Sequence, residues 1–177
     1  MFVIGSSASS SSQQRENFEA ATKMITTFIG KYKISPTDTK IGVVTYGGRV
    51  APVIQLGSIQ EKNPLLNAVA DVRFPGAGST LHMGINAAST MLTGARKDGV
   101  PQKIILVLDA KPMPMAQTVL TGLNQRKVEV TAIGIGREVG IDNIRELSSD
   151  KKGITVDNAN QLDSVVEDLA KPGREPS

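Results

Sequence analysis

The chain has 177 residues, 40% hydrophobic and 21% charged, which is the balance of one ordinary soluble domain and excludes a disordered, collagen-like or coiled-coil segment. Cysteine is absent and His82 is the only histidine, so disulfides, thiolate zinc sites and cysteine nucleophiles are ruled out, and a His-based metal cluster or a Ser-His-Asp triad is disfavoured. The 20 basic and 17 acidic residues leave a net charge of only +3, and aromatics stand at 3% without Trp, so no nucleic-acid partner is expected.

Phe2-Val3-Ile4 reads as the end of a buried strand, too short for a signal-peptide core, so a signal for secretion would lie outside this chain. Apolar residues at Phe18, Ala21, Ile25, Phe28, Ile29 and Tyr32 predict a helix over 13–32 with one stripe facing a core. After the turn Ser35-Pro36-Thr37-Asp38, a strand is expected over 40–46. Gly47-Gly48 then turns the chain into 49–56, where Pro52 marks an antiparallel edge strand. A helix follows over about 59–72, with Pro64 in its first turn or at its start.

The glycine loop 74–80 feeds a helix from about Thr80 to Leu92. The run 103–109 (KIILVLD) is the most hydrophobic, as suits a central parallel strand covered on both faces; it is far too short to cross a membrane, which needs ~20 residues. A helix over 115–127, a strand over 128–136, a short helix over 142–147, a short strand over 153–156 and a last helix over 160–169 complete the pattern. The expected organisation is one α/β domain over 1–170 and a linker or tail over 171–177.

In such sheets ligands bind beyond the carboxyl ends of the strands. Three segments sit there: Gly5-Ser6-Ser7-Ala8-Ser9, Gly76 to Thr80, and Asp109-Ala110-Lys111. Their oxygens, on Ser7, Ser9, Thr80 and Asp109, suit a hard divalent ion such as Mg²⁺. The plainer alternative is that Ser9 to Ser12 and Thr80 cap helices and that Asp109 faces a loop without a ligand. Two glycine-rich stretches imitate nucleotide loops. The 76–80 loop lacks the lysine of a phosphate loop, and in 134–140 the third glycine comes one residue late.

The three clusters together resemble a von Willebrand factor type A domain. Its opening Asp-x-Ser-x-Ser is matched by Gly5-Ser6-Ser7-Ala8-Ser9. Its Thr loop and Gly-x-Ala helix are matched by Gly78-Ser79-Thr80 and Gly84-Ile85-Asn86-Ala87, and its late aspartate by Val107-Leu108-Asp109-Ala110. The resemblance implies a three-layer α/β sandwich: a mostly parallel central sheet with one antiparallel edge strand, and helices on both faces.

It also implies a non-enzymatic adhesion module whose metal-ion-dependent adhesion site would hold Mg²⁺ or Mn²⁺ through Ser7, Ser9, Thr80 and Asp109. Here that site is degenerate, because Gly5 stands where the first aspartate belongs, Leu108 where a threonine does and Ala110 where a glycine does. Losing one of two carboxylates leaves a single formal charge against a dication. The implied setting is the extracellular matrix, with collagen or another matrix protein as partner, met by Ser6, Lys111 and Met113 beside the site. The basic residues Arg49, Lys111, Arg126, Lys127, Lys151 and Lys152 suggest a contact with acidic polysaccharide, the plain alternative being scattered surface charge. An intracellular scaffold of the same fold is the competing function. Catalysis is not expected, since His82 has no evident carboxylate partner.

Overall fold

Side chains that alternate with period two along the strands sort into two separate cores. The computed structural model describes residues 1–7, 11–78, 80–94 and 99–170. Its strands are β1 (Phe2–Gly5), β2 (Val43–Tyr46), β3 (Ala51–Ile54), β4 (Lys103–Leu108), β5 (Glu129–Ile135) and β6 (Ile154–Val156), joined in one sheet in the order β3-β2-β1-β4-β5-β6. Every pairing is parallel except β2 with β3. Phe2, Ile4, Val43, Ile105, Val107 and Ile133 enter one core, whereas Val3, Val44, Tyr46, Leu106, Leu108 and Ala132 enter the other. The first is covered by α1 (Ser11–Gly30), α2 (Lys62–Ala70) and α6 (Leu162–Ala170), the second by α3 (Leu81–Thr93), α4 (Met115–Gln125) and α5 (Ile141–Leu147). This is the expected three-layer sandwich with its antiparallel edge.

Of the stripe expected on the first helix, Phe18, Ala21, Ile25, Phe28 and Ile29 are buried and Met24 joins them, whereas Tyr32 lies past the helix end and is half-buried. Phe28 anchors that layer: its ring meets Phe2 edge-on at 5.2 Å and stacks on Tyr32 at 4.6 Å. Element ends differ from the sequence reading by a few residues. Helix α1 begins and ends two residues earlier, and the two strands expected over 40–46 and 49–56 pair only over Val43–Tyr46 and Ala51–Ile54. Pro52 is exposed on the edge strand, and the register against β2 shifts between Val43 and Thr45. The last helix opens with a 3-10 turn, Ala159–Gln161, where the Asn158 side chain accepts the Asn160 N–H at 3.1 Å. The expected tail, 171–177, lies outside the described residues.

Phe28→Ala removes the ring on which Phe2 and Tyr32 rest, and is expected to cost about 3–5 kcal/mol. Urea unfolding should show a lower midpoint at unchanged slope.

Candidate functional site

The strand order reverses between β1 and β4, so the loops leaving those two strands part and expose the space between them. Asp109 sits there, directly after β4, and is only 4% exposed. Its carboxylate accepts the Ser6 hydroxyl, the Ser7 backbone N–H at 2.7 Å and the Asn17 side-chain amide at 2.8 Å. Ser7 Oγ in turn donates to Gly78 O at 2.7 Å. Thr80 Oγ1 donates to Gly47 O and accepts the Gly47 N–H, both at 2.9 Å. Thr80 makes no side-chain cap bond to α3, so its hydroxyl serves the β2 turn and not the helix.

Ser7 is bonded directly to Asp109 and to the Gly78 carbonyl, Thr80 stands two residues beyond Gly78 with its hydroxyl on Gly47, and Ser9 lies outside the described residues. Ser6 is the exception among the expected partner contacts. It is fully buried, because its hydroxyl turns inward onto Asp109, and no partner can reach it. Lys111 is exposed and Met113 is 49% exposed; with Ser7 and Tyr46 they line a pocket of about 20 Å³, room for one water-sized group. Asn17 is a site residue that the sequence reading missed. It stands four residues before Ala21, on the buried stripe extended backwards, and a polar residue at a core position was the available signal.

Gly5 pairs with Tyr46 in the β1–β2 register. A Cβ at position 5 would run into the Tyr46 carbonyl oxygen and lie 2.8 Å from Tyr46 Cγ and 2.9 Å from Cδ1. The ring reaches over β1, and its hydroxyl donates to Val107 O on β4 at 2.7 Å. Burial, and secondarily the negative charge of Asp109, push the phenol well above its ordinary pKa, so Tyr46 stays a neutral donor.

The family profile described as the von Willebrand factor type A domain matches residues 1–168. The chain belongs to this family. Matrilin-1 of Gallus gallus is 29% identical over 175 residues, covering 96% of this chain and 34% of that protein. This A domain thus spans about a third of the curated relatives it matches. Among solved structures, proximal thread matrix protein 1 from the mussel byssus superposes with a TM-score of 0.83 at 21% identity, over 95% of this chain and 44% of that one. A second structure of that protein has a zinc-occupied metal-ion-dependent adhesion site. The manganese-loaded TRAP protein of Plasmodium vivax superposes with a TM-score of 0.65 at 20% identity, over 99% of this chain and 63% of that one.

The donor set of this A domain can be tested against such an ion. A hard dication takes about six or more oxygens and needs carboxylates to balance its charge. Here Asp109 points both of its oxygens at protons, Ser7 and Thr80 donate theirs to backbone carbonyls, and no three His, Cys, Asp or Glu converge among the described residues. At Gly5 the Tyr46 backbone and ring leave no room for a side chain. These hydroxyl and carboxylate oxygens keep lone pairs free of those bonds, but Ser7, Thr80 and Asp109 bring only three side chains and one charge, too few by themselves to hold a resident divalent ion.

Two measurements probe this arrangement. Gly5→Ala supplies bulk without charge, and overpacking against Tyr46 is expected to cost about 1–3 kcal/mol. An unchanged melting temperature would show that β2 yields freely and that Gly5→Asp could rebuild a metal site. Tyr46 gives the second test. Unfolded, it ionises near about pH 10, whereas folded it keeps its proton, so its contribution is complete below that pH and is lost as the pH rises further. Alkaline destabilisation should be shallower in Tyr46→Phe; identical slopes would refute the link.

Proposed function

We propose that this A domain is a non-enzymatic adhesion module of the extracellular matrix, secreted as part of its parent protein. It binds collagen or another matrix protein through the face at the carboxyl ends of the strands, without Mg²⁺ or Mn²⁺. The observation that carries the reading is the similarity to matrilin-1 along 96% of the chain. The superposition on a byssal matrix protein adds the shared fold.

The chemistry of the face agrees with recognition and not with turnover. Asp109 is the one buried carboxylate on that face among the described residues, and its three donors are Ser6, Ser7 and Asn17, none of them an imidazole. What the face offers a partner is the exposed ammonium of Lys111 together with Met113 and Met115, 49% and 55% exposed, which can repack against an apolar surface. A partner carboxylate can meet the ammonium of Lys111 at the rim of the pocket that Ser7 and Tyr46 line.

The deciding experiment is binding to immobilised fibrillar collagen in Mg²⁺ and again in EDTA. Saturable binding that is equal in both buffers, and weaker in Lys111→Glu, is the expected result. Loss in EDTA would return the contact to a cation held by Ser7, Thr80 and Asp109. No binding in either buffer would remove collagen from consideration.

A further inference from the structure

Backbone strain marks the end of the sheet opposite Asp109. Among the described residues only two non-glycine residues have positive φ, Lys127 and Lys151, both at 59°. This left-handed conformation is disfavoured for any residue with a Cβ, and glycine is its usual occupant. Lys127 closes α4: its N–H donates to Asn124 O at 3.0 Å and the Val128 N–H to Leu123 O at 3.1 Å, the paired bonds of a helix end that favours glycine at this very position. Lys151 closes the turn after α5, donating its N–H to Ser148 O at 3.1 Å, and Lys152 follows with its N–H on Asp150 Oδ1 at 2.9 Å.

The two turns are joined. Ser149 N–H donates to Val130 O at 2.8 Å, and Val130 N–H donates to Ser149 Oγ at 2.8 Å. Arg126, Lys127, Lys151 and Lys152 are all exposed, and none forms an ion pair among the described residues. Arg126 rests on the Ser89 hydroxyl at 2.8 Å and Lys151 on the Glu146 carbonyl at 3.4 Å, both uncharged oxygens. The adjacent Glu129 is engaged by Lys103 at 3.0 Å. Attraction to the carboxyl end of α4 accounts for basic residues there, but not for two lysines in a backbone conformation that suits glycine.

We infer that these joined turns form a cationic surface for a sulfated polysaccharide, on the face opposite the one that meets matrix protein. The four unpaired cations come from two turns held side by side, and a linear polymer with repeated sulfates matches that spread of charge. No Tyr or Phe stands within either turn, so a nucleic acid would find no stacking platform. The inference rests on the extracellular reading of the domain, since sulfated polysaccharides are encountered outside the cell.

The test titrates the 177-residue chain with a size-defined heparin oligosaccharide at low and at physiological salt. Binding that weakens with salt is expected. Lys127→Gly with Lys151→Gly should bind about tenfold more weakly. Relieved of strain, it should melt unchanged or up to about 2–4 °C higher per substitution. The pair Arg126→Gln and Lys152→Gln, which leaves both left-handed positions untouched, should also weaken binding, whereas Arg49→Gln with Lys111→Gln on the other face should not. Unchanged affinity in the glycine variant, an equal loss in the Arg49 and Lys111 variant, or equally tight binding of duplex DNA would each overturn the assignment. Collagen binding by the same variants depends only on the Asp109 face, so failure of either reading is distinguishable from failure of the other.

Discussion

A single buried carboxylate organises one whole end of this domain. An ion taken out of water loses several kcal/mol of solvation unless donors replace the water, and Asp109 recovers that loss from Ser6, Ser7 and Asn17. Those donors lie 103, 102 and 92 residues away in the chain, so satisfying one charge ties β4 to the loop after β1 and to helix α1. Ser7 and Thr80 extend the network to the loop before α3 and to the β2 turn. The loops that a partner would meet are therefore held by hydrogen bonds to one another before any partner arrives.

That closure also agrees with glycine at position 5. With a Cβ and a carboxylate there, a second negative charge would stand close to Asp109, and the Tyr46 ring would have to move. With glycine, Tyr46 reaches over β1 to Val107, and β2 and β4, the strands on either side of β1, are bridged by a neutral hydrogen bond. Charge balance is then local, one carboxylate against three dipoles, and the surface above it is left to Lys111 and the methionines. Recognition on such a face depends on shape and on exposed side chains, both present in the unbound domain.

Periodicity makes the elements legible and leaves their contacts hidden. The α1 stripe, the doubly covered β4 and the edge character conferred by Pro52 all follow from local pattern. Ser7 and Asp109 can be grouped because each follows a strand of one parallel sheet, whereas Thr80 lies between α2 and α3, follows no strand, and is signalled only by the glycine loop before its helix. Asn17 is masked in the sequence because a polar residue beside Glu16 reads as solvent-facing, although its spacing to Ala21 and Ile25 places it on the buried side. Ser6 has the look of a surface residue in the sequence, where nothing says which of two adjacent serines turns inward. The collision at Gly5 was invisible for another reason: it arises from the β1–β2 register, a property of two strands about forty residues apart.

The sheet's two borders have a consequence for how copies of this domain live side by side. On one border β3 carries an exposed proline and an irregular register, and on the other β6 is three residues long. Neither offers the long, flat row of free amides and carbonyls on which another chain could extend the sheet. Crowded together, such domains meet through side chains rather than backbones, and their contacts stay exchangeable instead of growing into fibrils.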